Sequence, residues 1–164
     1  MARREHVSET PATRFLRQRQ VDFAEHVYDY LEHGGARHSA SALKVDPFCV
    51  VKTLVMQDEH ARPLLVLMHG NRSVSTKSLA RQIGAKSVEP CEPDIASKHS
   101  GYLVGGTSPF ATRKTMPVYY EQSIADLPRL LINGGRRGYL VELAPTVCIR
   151  LLEARAVQCA LAEK

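Results

Sequence analysis

No apolar run in this sequence approaches the roughly 20 residues that a membrane-spanning helix needs. The opening residues, MARREHVSET, are charged and lack the apolar core of a secretion signal. Glu5 and Glu9 interrupt the basic pattern of a transit peptide. A cytoplasmic protein that makes no use of a membrane is therefore expected. The four cysteines, at positions 49, 91, 148 and 159, include no CxxC pair, so reduced thiols are expected in that compartment. Seven histidines fall in no HExxH or CxxH pattern, which argues against a zinc site. Neither GxGxxG nor a P-loop is present, and no cofactor is expected.

The 164 residues suit a single domain, with 1–9 as a loose polar tail and 10–164 as the folded unit. The net charge of +5 is mildly basic. It reads either as a solubilising surface or, where clusters share a face, as an attraction for an acidic partner. The clusters are Arg14, Arg17 and Arg19; Arg72, Lys77 and Arg81; Arg113 and Lys114; and Arg136 and Arg137.

Thr10 and Pro11 form an N-cap and first-turn proline, so the pattern predicts a short amphipathic helix over 11–20. VDFAEHVYDY reads as a strand with two usable faces. Ser39 is the expected cap of a one- or two-turn helix ending near Val45. VVKTLVMQ and PLLVLMHG are two strand runs separated by DEHAR. SVSTKSLARQIGA is a capped helix closed at Gly84, and EPDIASKHSG is a shorter one closed at Gly101. GYLVGGTSPF and TMPVYY read as strands. LLINGGRRGYLVEL reads as a hairpin turning at Asn133-Gly134-Gly135. A final helix starts at Pro145, with Val147, Leu151 and Ala154 as its buried stripe. Helices and strands alternate without a βαβ beat. The expected class is α+β, with a mixed or antiparallel curved sheet.

Two glycines inside an apolar run are the first chemical clue. Gly105 and Gly106 mark either a bulge or a place where another molecule approaches the main chain and meets its N–H groups. Pro109 ends ladder pairing and holds Ser108 extended. Lys52 lies inside the apolar run VVKTLVM. It either faces out from an edge strand or points its ammonium into a pocket, at a phosphate or a carbonyl oxygen. Ser108 has no GxSxG elbow and no evident His-Asp partner, which argues against an activated serine. Tyr28 is either core or a stacking surface for a base. Together these residues describe a pocket with a lysine, open main-chain amides and basic surroundings, but no acid–base dyad. Such a site suits a substrate that supplies its own nucleophile.

VVKTLVM, GYLVGGTSPF, NGGRRG and VELAP…IRLLEA, in that order, resemble the YbaK/EbsC family of aminoacyl-tRNA deacylases over about residues 12–158. The resemblance implies a mixed, barrel-like sheet ringed by helices, with a pocket for the aminoacyl 3′ end of tRNA. It implies that Lys52 holds the terminal adenosine or its phosphate and that Gly105 and Gly106 line the ester carbonyl. Tyr28, Thr53, Thr107, Ser108, Pro109, Asn133 and Gly134 would contact the substrate. No cofactor is implied. Aminoacyl-tRNA is the implied partner, and prolyl-tRNA synthetase a candidate second one. The bacterial YbaK subgroup acts on Cys-tRNA(Pro), and the cysteine thiol is thought to attack its own ester. Three features depart from that pattern. The loop EHGGARHSAS has no aromatic residue, Asn133 stands where a serine is usual, and Leu140 where an aspartate is expected. All three touch the implied pocket wall, so an Ala- or Ser-tRNA deacylase, or a binding module without catalysis, stays open at this stage.

Overall fold

Thr10 starts the first helix as its sequence predicts. Its hydroxyl accepts from the Thr13 N–H at 3.0 Å, and Thr13 Oγ1 accepts from the Thr10 N–H at 2.9 Å, a reciprocal cap for α1 (Pro11–Gln18). The computed structural model describes residues 9–163, so all of the expected polar tail except Glu9 lies outside the described residues.

Among the described residues, ten strands and five α-helices follow the order α1, β1 (Ala24–Val27), α2 (Gly35–Leu43), β2 (Val50–Asp58), β3 (Pro63–His69), β4 (Arg72–Val74), α3 (Thr76–Ile83), β5 (Val88–Pro90), α4 (Pro93–Ser100), β6 (Val118–Glu121), β7 (Leu130–Arg136), β8 (Tyr139–Leu143), α5 (Pro145–Leu152), β9 (Arg155–Val157) and β10 (Ala160–Ala162). The main sheet runs β1-β8-β7-β2-β3-β6-β9, with β5 also on β2. The pairs β2–β7, β3–β6 and β6–β9 are parallel, and the others are antiparallel. The expected α+β class with a mixed sheet is borne out. Among the described residues no helix is long and apolar enough to cross a membrane.

β3 explains its own unbroken apolar run. Leu65 and Leu67 enter a core shared with α1, β7 and β8, whereas Leu64, Val66 and Met68 enter a second core with Leu79 and Ala80 of α3. A strand buried on both faces has no polar face to show. A third cluster packs Ala40 of α2 on Val50, Leu131 and Leu140.

The sheet is split at β2. β3 occupies one edge of β2 from Val51 to Gln57. On the opposite edge β7 pairs only with Val50 and Val51, and β5 only with Met56 to Asp58. The Cys91 N–H reaches Val55 O at 3.1 Å, which leaves Lys52 to Leu54 without a partner strand on that edge. This gap positions the site.

Several local expectations are corrected. GYLVGGTSPF is not a strand. It is an irregular loop between α4 and β6, closed by its own hydrogen bonds from Gly106 N–H to Leu103 O (2.8 Å) and from Phe110 N–H to Ser108 Oγ (3.1 Å). Its apolar residues divide accordingly. Tyr102 and Phe110 anchor the loop in the core, and Leu103 and Val104 stand 65% and 44% exposed. The hairpin exists, but Asn133-Gly134-Gly135 form an irregularity within β7, and the turn falls at Arg137-Gly138. Ser39 lies inside α2 and donates to Ala36 O, with Gly34 at the cap position. β1 is four residues long and ends just before Tyr28. α5 stops at Leu152 because Glu153 turns left-handed, so Ala154 is outside it, and Cys148 is the buried centre of that helix.

Candidate active site

The gap beside β2 opens into a cleft of about 720 Å³. β2 supplies its floor from Val50 to Met56. Tyr28, Tyr30 and α2 form one wall, Val104, Gly105 and Thr107 another, and Cys91 and Ala96 close the far end. Lys52 belongs to a central strand, so the outward-facing edge position is excluded. It shares a face with Val50 and Leu54, in the seam between the second and third cores. Its ammonium donates to Arg72 O at 2.5 Å and pairs with Glu163 at 3.0 Å.

Thr53 projects to the opposite face, the parity of Val51 and Val55 in the first core. Its hydroxyl oxygen is shielded from solvent and has no hydrogen-bond partner among the described residues. A buried hydroxyl left that way costs free energy until a ligand or water reaches it.

The two loop glycines have different fates. Gly105 lines the cleft with φ +91°, and a Cβ there would lie 2.5 Å from Tyr30 Oη. Gly106 is buried behind it, its N–H already spent on Leu103 O, and a Cβ would lie 2.8 Å from the Arg137 main-chain N. Of the paired amides expected to be open, the one at Gly106 is thus turned into the loop. Thr107 lines the cleft, whereas Ser108 and Pro109 are buried beneath it. Ser108 Oγ shapes the loop as an acceptor for Phe110 N–H, consistent with no nucleophilic role. Asn133 lines the cleft and joins loop to hairpin. Its Nδ2 donates to Gly105 O (3.2 Å) and Arg136 O (3.1 Å), and its Oδ1 accepts from Gly135 N–H (2.7 Å). Gly134 packs under the Tyr139 ring, outside the cleft.

Sequence reading passed over several wall residues. Arg137, taken with Arg136 as charge near a turn, donates to Val104 O at 2.9 Å and sits 5.2 Å over the Tyr30 ring. Tyr30 thereby forms the lip above Gly105. Its only sequence signal was sharing parity with Tyr28. Leu140, by contrast, was expected at the pocket wall from its departure from the family pattern, and it lines the cleft there, packed with Ala40. Arg37 and Glu163 joined no sequence pattern, and Glu163 meets the Lys52 ammonium and Arg37 outside the cleft lining.

The electrostatics match the absence of a dyad. Burial, then Glu89, pushes the Cys91 thiol above its usual range, so it stays a thiol at neutral pH. Burial raises the Tyr28 hydroxyl as well. His33 and Glu32, at the rim, are 92% and 82% exposed. The buried His69 lies outside the cleft, between Phe48 O and Ser123 Oγ. The cleft offers a cation, main-chain groups and a free hydroxyl, arranged to hold a substrate rather than to activate water.

Residues 35–151 match the model of the aminoacyl-tRNA editing domain. The chain belongs to that family, and its reaction class is aminoacyl-tRNA deacylation. It is 29% identical over 152 residues to an Enterococcus faecalis protein provisionally named Cys-tRNA(Pro)/Cys-tRNA(Cys) deacylase EbsC, covering 92% of this chain and 93% of that one. An 88-residue segment is 33% identical to the proline–tRNA ligase of Syntrophotalea carbinolica, covering 53% of this chain and 15% of that enzyme. Among solved structures, one described as a provisional trans-editing enzyme for prolyl tRNA synthetase aligns with a TM-score of 0.78 at 20% identity, over 96% of this chain and all of that one. The expected family is borne out by these matches.

Proposed function

We propose that the chain removes cysteine from mischarged tRNA(Pro) in trans, in the cytoplasm, with the substrate's thiol as the attacking group. The observation that carries this reading is a cleft containing Lys52, the Gly105 main chain and the Thr53 hydroxyl, whose one lining imidazole and one lining carboxylate among the described residues, His33 and Glu32, stand exposed at the rim. In this reaction the thiol sulfur bonds to the ester carbonyl carbon, and the bond from that carbon to the ribose oxygen breaks. The thiol proton ends on the ribose oxygen, and the products are free tRNA and a cyclic thioester. The protein's part is orientation and stabilisation of the oxyanion. Orientation alone can supply up to roughly 7–11 kcal/mol. Lys52 is the one lysine lining the cleft among the described residues and would hold the terminal nucleotide. The likenesses to EbsC and to a proline–tRNA ligase support the substrate assignment, and the ligase supports prolyl-tRNA synthetase as a partner.

The test is turnover of Cys-, Ala- and Ser-tRNA(Pro). Clearance of the cysteinyl ester alone is expected. Equal clearance of all three would require the protein to activate water and would overturn the mechanism. Clearance of Ala- or Ser-tRNA alone would assign the pocket walled by Leu140 to another amino acid. Lys52→Ala is expected to lower kcat/KM on the order of a hundredfold. Weaker RNA binding by Lys52→Ala, in a protein that shows no turnover of its own, would make this a binding module.

A further inference from the structure

The Lys52 ammonium is not alone. Glu163 presents one carboxylate oxygen to Lys52 Nζ at 3.0 Å and the other to Arg37 Nε at 3.0 Å. The two cations come from β2 and α2, and the carboxylate arrives from the far end of the fold. β10 carries it there by pairing with β4, placing Ala162 opposite Arg72, whose carbonyl also holds Lys52. Two oxygens of one anion, each on its own cation, is also how a phosphate is gripped. Hydrogen bonding to Lys52, and then to Arg37, holds the Glu163 carboxyl below its usual range, so it is ionised at neutral pH.

The element that delivers Glu163 is weakly attached. β4 and β10 form a separate two-stranded ribbon of three residues each, and all three residues of β10 are exposed. Such a ribbon is marginal by itself. The residue before it is fixed. Cys159 is buried, its N–H donates to Glu121 at 2.7 Å, and its carbonyl accepts from Ser75 N–H at 2.7 Å. Residues 160–163 can therefore lift about Cys159 without disturbing either large core.

We propose that Arg37 and Lys52 form a seat for the phosphate of the substrate's terminal nucleotide, and that Glu163 fills this seat in the free protein and yields it when RNA binds. The proposal rests on the deacylase reading for the identity of the RNA, but not for the seat itself. Glu163 then acts as a built-in competitor. It offsets one of the two adjacent positive charges until the RNA phosphodiester, of the same charge but held there by the rest of the bound substrate, takes its place. The Lys52–Glu163 and Arg37–Glu163 pairs are partly exposed, so each contributes modestly.

NMR titration with adenosine 5′-monophosphate, and with adenosine as the phosphate-free control, tests the seat without any turnover. In Glu163→Gln the nucleotide should bind about threefold to tenfold tighter, with adenosine unchanged. Adding Arg37→Ala to that variant should reverse the gain. With aminoacyl-tRNA, Glu163→Gln should lower KM. Unchanged or weaker nucleotide affinity in Glu163→Gln, or an equal gain for adenosine, overturns the proposal. So does a fall in kcat with no fall in KM, which would make Glu163 a support for Lys52. If no tRNA is deacylated, the deacylase reading fails while the nucleotide titration still decides the seat.

Discussion

Two glycine pairs meet beside the cleft, Gly105-Gly106 in the loop after α4 and Gly134-Gly135 in β7. They show how one dipeptide serves different ends. Each pair has one member with positive φ, +91° at Gly105 and +97° at Gly135, a region that disfavours other residues. Each has another member with no room for a side chain. A Cβ at Gly106 would meet the Arg136-Arg137 main chain, and one at Gly134 would meet the Tyr139 ring at 2.5 Å. The pair in β7 is structural throughout, since it turns the strand over Tyr139 and receives Asn133 Oδ1. In the loop pair only Gly105 reaches the cleft, and Gly106 lets the loop main chain rest on the hairpin turn. A glycine pair near a site is thus not by itself a pair of open amides.

The contrast can be broken at its tightest point first. Gly106→Ala places a carbon 2.8–2.9 Å from main-chain atoms of Arg136 and Arg137, which cannot rotate away. The expected cost is about 3 kcal/mol, the upper part of the overpacking range. Thermal denaturation should show a Tm lower by roughly 6–12 °C, since about 1 kcal/mol shifts Tm by 2–4 °C in a domain of this size. A Tm within a degree of the parent would mean that the loop and hairpin are not packed as described.

Gly105→Ala should divide its effects the other way. The obstacle is Tyr30, which is 38% exposed and free to swing, so the stability cost is mainly main-chain strain of about 1–2 kcal/mol. Displacing Tyr30 alters the lip of the cleft, and kcat/KM should fall about tenfold while the fold survives. Steady-state kinetics beside a melting curve would show whether function is lost ahead of stability, as the comparison requires.

Tyr102 connects the two pairs and offers the gentlest probe. It belongs to the Gly105 loop, its ring would be 2.8 Å from a Cβ on Gly135, and its hydroxyl donates to Phe110 O at 2.6 Å. Burial pushes its pKa up to about 12. The folded state therefore keeps a proton that the unfolded chain releases near pH 10. Stability from this group is complete below pH 10 and is lost as pH rises toward 12. Tyr102→Phe should cost about 1 kcal/mol at neutral pH through the lost hydrogen bond. It should also flatten the decline in stability between pH 10 and 12. An unchanged alkaline slope in urea titrations would detach Tyr102 from this role.

Local signals were readable where their causes are local. Thr10-Pro11 and Ser75…Gly84 start or stop helices through contacts three or four residues apart, and both act as expected. The same kind of reading failed for GYLVGGTSPF. Its apolar residues suit a strand, but its N–H groups at Gly106 and Phe110 are spent on Leu103 O and Ser108 Oγ within the loop, not on a neighbouring strand. It failed for Asn133-Gly134-Gly135 because the pair that suits a hairpin turn also suits an irregularity inside a strand. Thr53 was named from family likeness and Tyr28 was left between core and a stacking surface, and their places in the cleft rest on a gap in strand pairing that no short window contains.

By itself the sequence determined the class of fold, the apolar runs that became β2 and β3, the helix boundaries set by capping, and the family motifs in their order. These depend on side-chain periodicity and on neighbours a turn away. Tertiary structure alone decided that Lys52 faces a cleft, that Gly105 reaches it while Gly106 does not, and that Glu163 meets a lysine 111 positions earlier in the chain. Those outcomes follow from where strands end against one another, and that is settled only when the whole sheet closes around its cores.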